Sequence, residues 1–351
     1  MMKKVVKQVL GVDVAQKELV VTLGRMHDDF SIELYAHSVF KNTEKGIIEL
    51  MKWVQKLTVS EANVRYVMEA TGVYHQKFAY YLDEHGFEVS IVLPNKISNY
   101  IRTLEIKTIT DKTCSEAIAR FGLERNLDLW KRPKEVYKQL QQLTRERDQL
   151  VAERVVAKNQ LHAEESEAFP NKNSVKRVKA RIRFLTQQEK DIKQDIDAIV
   201  ICNQEVKNEI DNICTIPGVG RLTAVIVLAE TNGFELIRNK RQLVSYAGLD
   251  VREKTSGTSV KGKPRISKKG NRNLRRAMHL PALGAIKHNE THKAIYARLV
   301  SKCGIKMKGV VAIQRKVLEL IYVLHKNKTV YQVDYEETKR EQLQLAAPFT
   351  N

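Results

Sequence analysis

Four residues in this chain combine a side chain suited to chemistry with a position suited to delivering it. Asp13 lies near the end of the apolar run VVKQVLGVDV at 5–14, Glu69 closes VRYVME at 64–69, and Asp111 lies at the start of a helical pattern over 109–123. Carboxylates at the ends of separate elements can converge, and hard cations such as Mg²⁺ need oxygen ligands gathered in that way. Two such ions can activate and release the oxygens of an in-line phosphoryl transfer. Taken singly, each acid reads more readily as an ordinary turn residue. The fourth residue is Ser256, at the head of KTSGTSVKGKPRISKKGNRNLRR, residues 254–276. From Arg252 to Arg276 there are ten Lys or Arg and one acid, Glu253. Gly257, Gly262 and Gly270 let the backbone approach a ligand closely. The composition suits a loop that grips phosphate, or a solvated basic loop. Thr255, Thr258 and Ser259 add hydroxyls, and a serine oxygen becomes a useful nucleophile when its surroundings activate it.

The elements that would position these residues can be read from periodicity. Residues 5–14 and 18–24 form a hairpin pattern, and a third strand is expected at 32–35. Ile47, Ile48, Met51 and Val54 repeat at helical spacing, 64–69 returns to a strand, and 75–85 is helical. FEVSIVL at 87–93 is a buried strand that Pro94 ends. A meander followed by strands alternating with helices predicts an α/β domain with a mixed sheet.

Pro133 opens a change of texture. Val136, Leu140, Leu143, Leu150, Ala157 and Leu161 repeat at spacings of three and four, interrupted by Arg147 and Arg154. Val175, Val178, Ile182, Leu185, Ile192, Ile196 and Ile199 do the same, with Glu189 as the gap. This predicts a long antiparallel coiled-coil hairpin turning at FPNKN, 169–173, or two helices packed on the rest of the protein. I-P-G-V-G at 216–220 lies between helical runs 205–215 and 221–231. Such a helix-hairpin-helix-like turn can hold a DNA phosphate through its amides, with Gly218 and Gly220 as the contact positions. Helices are expected at 242–247, 273–286, 291–299 and 310–325, so the C-terminal part is mostly α, with a polar tail after Tyr331.

A formal charge of +19 over 351 residues points to a polyanionic partner, and nucleic acid is the first such partner to consider. No run approaches the length of a membrane span, so a cytoplasmic location is expected. Cys114, Cys202, Cys214 and Cys303 are scattered without C-x-x-C spacing, which argues against a disulfide framework and against a structural zinc site.

Together these segments resemble the transposases of insertion-sequence family one-ten, the bacterial DEDD recombinases. The resemblance rests on G-V-D-V at 11–14, M-E-A-T-G at 68–72, T-D-K followed by A-I-A-R-F-G within 110–122, I-P-G-V-G, and A-G-L…T-S-G…R-I-S-K-K-G-N-R-N-L-R-R. It implies a RuvC-like (RNase H-like) catalytic domain at 1–130, a coiled-coil insert at 131–204, a transposase domain with a catalytic serine at 205–330, and a tail at 331–351. Asp13, Glu69 and Asp111 match the first three acids and would bind Mg²⁺, and Ser256 matches the serine. The fourth acid falls on Cys114, a thiol where Mg²⁺ prefers oxygen. Glu116 is the nearest acid, but five residues on from Asp111 it points about 140° away around a helix. Lys261, Lys263, Arg265, Lys268, Lys269, Arg272, Arg275 and Arg276 would hold nucleic-acid backbone. The resemblance further implies donor and target DNA as partners, recognition through a bridge RNA, and a homodimer or homotetramer. Two rival expectations are a RuvC-like nuclease or junction resolvase using water, and a non-catalytic nucleic-acid-binding protein.

Overall fold

The computed structural model describes residues 3–333 apart from 61, 71, 105, 236, 254, 257–259 and 263, and gives the backbone alone at 255, 256, 260 and 261. The chain divides into two compact units, Met1–Arg132 and Pro133–Asn351.

The first unit is built on a five-stranded mixed sheet of order β3-β2-β1-β4-β5. β1 (Val5–Val14), β2 (Glu18–His27) and β3 (Ile32–Lys41) form an antiparallel meander. β3 is longer than the expected 32–35, because it pairs with β2 along its whole length. β4 (Val64–Glu69) and β5 (Glu88–Val92) run parallel to β1. Successive side chains of a strand face opposite ways. Leu10, Val12 and Val14 therefore enter one core with Leu50 of α1 (Glu44–Leu57) and Phe78 of α2 (Gln76–Glu84). Val9 and Val67 enter another with Ile97 of α3 (Pro94–Ile101) and Ile118 of α4 (Asp111–Glu124). Pro94 does more than end β5: it opens α3, whose first turn does not use the N–H that proline lacks.

The second unit is helical. α5 (Glu135–Ser166) and α6 (Lys172–Cys202) form an antiparallel hairpin, and the 32 residues of α5 rise about 48 Å. The polar interruptions in the two apolar patterns meet: Glu189 of α6, 5% exposed, pairs with Arg147 at 3.0 Å and with Arg154, both of α5. At its base the hairpin shares one core with the C-terminal helices, through Tyr137, Leu140, Ile196 and Val200. Those helices are α7 (Gln204–Cys214), α8 (Arg221–Thr231), α9 (Lys240–Tyr246), α10 (Arg272–Ala277), α11 (His279–His288), α12 (Glu290–Cys303) and α13 (Lys306–Asn327). The single helix expected over 273–286 is thus two, α10 and α11, meeting at Met278. The expected basic loop contains two short antiparallel ladders, β6 (Val251–Arg252) with β9 (Arg265–Ile266) and, nested inside, β7 (Thr255–Ser256) with β8 (Val260–Lys261).

Candidate active site

Parallel pairing sets the first two acids side by side. Val12 of β1 is in register with Met68 of β4, so Asp13 and Glu69 follow at the same edge of the sheet. By the period of two, Asp13 faces the way Val9 and Gly11 do, and Glu69 the way Val67 does, toward α4.

The helix comes unusually close there. A Cβ built on Gly11 would lie 2.2 Å from the Ala119 nitrogen and 2.5 Å from the Ser115 oxygen, and one on Gly122 would lie 2.8 Å from Val9 and Val67 side-chain carbons. Glycine at 11 and 122 is what lets α4 lie directly on β1 and β4. The buried Ser115 hydroxyl meets Thr22 Oγ1 of β2 at 2.8 Å, which fixes the helix laterally. A capping box formed by Thr110 and Thr113 fixes the start of α4. Asp111, in the first turn, and Cys114, one turn on, are thereby held over the strand ends.

The electrostatics report the convergence. Burial first, and then the charges of Asp111 and Glu69, together push the Asp13 carboxyl up to about 6. Burial raises the Cys114 thiol as well, with Asp13, Glu69 and Asp111 adding to the effect. The charges of Asp111 and Glu69 therefore reach Asp13, and Cys114 sits near all three as a neutral thiol. Glu116 turns away and lies 4.0 Å from Lys112.

Among the described residues, no three His, Cys, Asp or Glu side chains are gathered closely enough to form a finished metal cage. Two half-buried carboxylates, Asp13 and Glu69, with the exposed Asp111 beside them nonetheless fit a divalent cation, which would relieve their repulsion. Mg²⁺ in particular is usually held by one or two carboxylates, with waters and substrate phosphates completing its shell.

In the second unit, Ser256 occupies the last paired position of the inner ladder, opposite Val260, just before residues 257–259. Lys263 lies outside the described residues, and Lys261 is described in its backbone only. Arg265, Lys268, Lys269, Arg272 and Arg276 are exposed. Arg275 differs: it donates to the Ala247 carbonyl at 2.8 Å and so ties α10 to the end of α9. Gly218, at φ +90°, is explained by packing, since a Cβ there would lie 2.6 Å from the Ala285 nitrogen of α11. Gly220 caps α8 with open space around it.

The residue that organises this basic region is Glu230 of α8, which sequence inspection passes over. Its carboxylate accepts from Arg145 Nε and Nη2, both at 2.8 Å, from Asn271 Nδ2 at 2.6 Å and from Asn273 Nδ2 at 3.1 Å. Burial alone would raise this carboxyl, but hydrogen bonds from Arg145 and Asn271 outweigh it and hold it below the usual range. Asn271 also caps α10, so the asparagines of G-N-R-N are anchors for the helix that carries the arginines. An acid inside an otherwise apolar helix, RLTAVIVLAET, was the available signal.

Two family models match the chain. Residues 10–170 match the family model described as "Transposase", that of the DEDD transposases of IS110 elements. Residues 210–297 match "Transposase IS116/IS110/IS902 family". The chain is similar to the pilin gene-inverting protein of Moraxella bovis, 26% identical over 91% of this chain and 95% of the relative. The Moraxella lacunata protein of the same name is 28% identical over 83% and 88%. The transposase for insertion sequence element IS1328 of Yersinia enterocolitica is 25% identical over 57% and 64%. Among solved structures, Thermus thermophilus RuvC aligns with 35% of this chain and 99% of its own, at 11% identity and a TM-score of 0.28. With both of its domains present and in order, the chain belongs to the IS110 family of transposases.

Proposed function

We propose that this transposase, an enzyme of DNA strand cleavage and exchange, cuts DNA by attack of Ser256 on a phosphate held at the acidic cluster of an RNase H-like domain. The observation that supports this reading is that the charges of Glu69 and of Asp111, at the start of α4, both act on Asp13. Mg²⁺ held by those three carboxylates would supply charge neutralisation at the scissile phosphate. The Ser256 oxygen forms the new bond to phosphorus while the strand's own oxygen leaves, and the phosphoserine linkage keeps the bond energy for rejoining. Arg265, Lys268, Lys269, Arg272 and Arg276 hold the backbone of the strand beside it.

The same proposal delegates sequence recognition to a bridge RNA, a division of labour in which the protein needs mainly backbone-binding charge. It also has the acids of one chain meet the serine of another in a homodimer or homotetramer, with the α5–α6 hairpin as the coiled-coil spacer.

The test mixes the protein with the transcript flanking its gene, junction DNA and Mg²⁺, and looks for a protein–DNA adduct on a denaturing gel. Wild type is expected to form the adduct, and Ser256→Ala and Asp111→Ala to lose it. Free cut ends that persist in Ser256→Ala would assign the attack to water instead. Adduct formation without the transcript would remove the guide from the proposal.

A further inference from the structure

The outer half of the helical hairpin carries a second concentration of positive charge, separate from the β6–β9 region. From Lys172 to Gln188 the chain contains no acid. Lys172, Lys176, Lys179, Arg183, Thr186, Lys190 and Lys193 follow one another at spacings of four and three along α6, and all are exposed. That alternation keeps them on one face of a helix. Lys179, Thr186 and Lys193 each follow a buried seam residue, Val178, Leu185 or Ile192, by one position. The stripe therefore stays about 100° around the helix from the seam, out of the contact with α5 and open to a partner.

Six of these seven positions are cations, and the seventh is a hydroxyl that can donate to phosphate. Two are met by carboxylates: Lys179 by Glu165 at 2.7 Å and Lys193 by Glu189 at 2.9 Å. Lys172, Lys176, Arg183 and Lys190 have no ion pair among the described residues. The stripe ends where the next position in the series, Asp197, is taken by Arg221 at 3.0 Å. A helix can keep charges of one sign three and four apart only at some cost to itself, which makes an unneutralised series of this length a feature to be explained by what it meets.

We infer that this stripe is a rail for the phosphate backbone of duplex DNA, engaged at a distance from the strand being cut. Its length fits: Lys172 to Lys193 rises about 32 Å, the span of roughly nine base pairs of B-DNA. Its regularity also fits, since cations spaced evenly along a straight helix match a straight, regularly charged duplex and carry no means of reading bases. The inference rests on the chain's acting on DNA and is independent of the nucleophile and of the guide.

The test is binding alone, in metal-free buffer, with the whole protein. Lys172→Gln, Lys176→Gln, Arg183→Gln and Lys190→Gln are combined in one variant; Gln is nearly as good a helix former as Lys or Arg. A second variant keeps the charge, with Lys172→Arg, Lys176→Arg, Arg183→Lys and Lys190→Arg. Affinity for a labelled duplex longer than the stripe, and for a single-stranded RNA, is followed by fluorescence anisotropy against NaCl concentration. The neutralised variant is expected to bind duplex at least about tenfold more weakly, with the slope of log K against log[NaCl] shallower by about 2 to 3.6, at roughly 0.9 for each phosphate that the variant no longer neutralises. The charge-keeping variant is expected to match wild type. An unchanged duplex slope in the neutralised variant, an equal loss in the charge-keeping one, or a loss for RNA as large as for duplex would each overturn the inference. Because nothing is cut in this experiment, its outcome is separate from that of the adduct assay.

Discussion

Arg145 and Glu230 meet as a bidentate pair, two nitrogens on two oxygens at 2.8 Å each, with the Glu230 side chain 1% exposed. The pair joins the base of the hairpin to the helix whose carboxylate also holds Asn271 and Asn273. Removing one member of a buried pair leaves the other uncompensated, typically at a cost of about 3–5 kcal/mol. Arg145→Ala, which leaves the buried Glu230 carboxylate without its cation, is expected to cost up to that much in urea or thermal unfolding, and Glu230→Gln distinctly less, because its amide oxygen still accepts. DNA binding by the Gln form should track its residual stability.

Glu189 gives the hairpin an acid-sensitive joint. Burial would raise its carboxyl, but hydrogen bonds from Lys193, Arg154 and Arg147 win and bring it to about 2. A carboxylate with a lowered folded value stabilises above its unfolded value, 4.5, and loses that contribution as pH falls through the folded one. Hairpin stability is therefore expected to fall between pH 4.5 and about 2, and the loss should be absent from Glu189→Gln. Replacing Arg147, Arg154 and Glu189 together by Leu is expected to leave neutral-pH stability unchanged or raised, as buried ion pairs often do when exchanged for packed apolar groups. Circular dichroism melts across pH read both effects.

Gly11→Ala would place a carbon 2.2 Å from a backbone nitrogen of α4. Neither strand nor helix can yield cheaply there, so a destabilisation of about 4 kcal/mol or more is expected. DNA cleavage should be lost even at temperatures where the protein stays folded, because lifting α4 also lifts Asp111 and Cys114. Activity assayed well below the melting temperature separates the two effects.

Asp13, with its carboxyl raised to about 6, has the opposite sign from Glu189. Its ionised form is disfavoured in the folded protein, so the cost is absent below the unfolded value, 3.8, grows as pH rises toward 6 and is complete above it. Without metal, Asp13→Asn is expected to melt higher than wild type at pH 7.5 and to match it at low pH. Millimolar Mg²⁺ should raise the wild-type melting temperature above pH 6, do so much less at pH 5, and leave Asp13→Asn unmoved.

Cys114→Asp would put a fourth carboxylate where a neutral thiol now sits. Lower stability without metal and Mg²⁺ affinity tighter by about tenfold are expected, since oxygen suits that cation and sulfur does not. Titration calorimetry and melting curves measure the two changes.

Much of the first unit was legible in its sequence, because period-two strands and helical patterns dominate it and the three acids stand at element ends. Two features escaped for opposite reasons. Helix α3 hid behind Pro94, which marks a boundary without saying whether a helix begins or a loop does. The nested ladders of 251–266 hid in a segment so rich in Gly, Lys and Ser that no strand propensity rises above it; pairing alone makes them strands. Arg147, Arg154 and Glu189 were visible as defects in two apolar patterns, and their meaning lay in reading the two defects against each other. Arg275 was legible as a charge but not as an anchor, since its partner is a backbone carbonyl that any residue could supply.

The acids belong to a unit whose two hydrophobic cores lie within residues 1–132, and the serine to one whose core lies within 133–351. If the chemistry is assembled across subunits, an Asp111→Ala chain and a Ser256→Ala chain belong to different complementation groups, each inert alone and active together. Lesions of one core would be covered by a partner in the same way, so two damaged copies of the gene in one cell could still move their DNA.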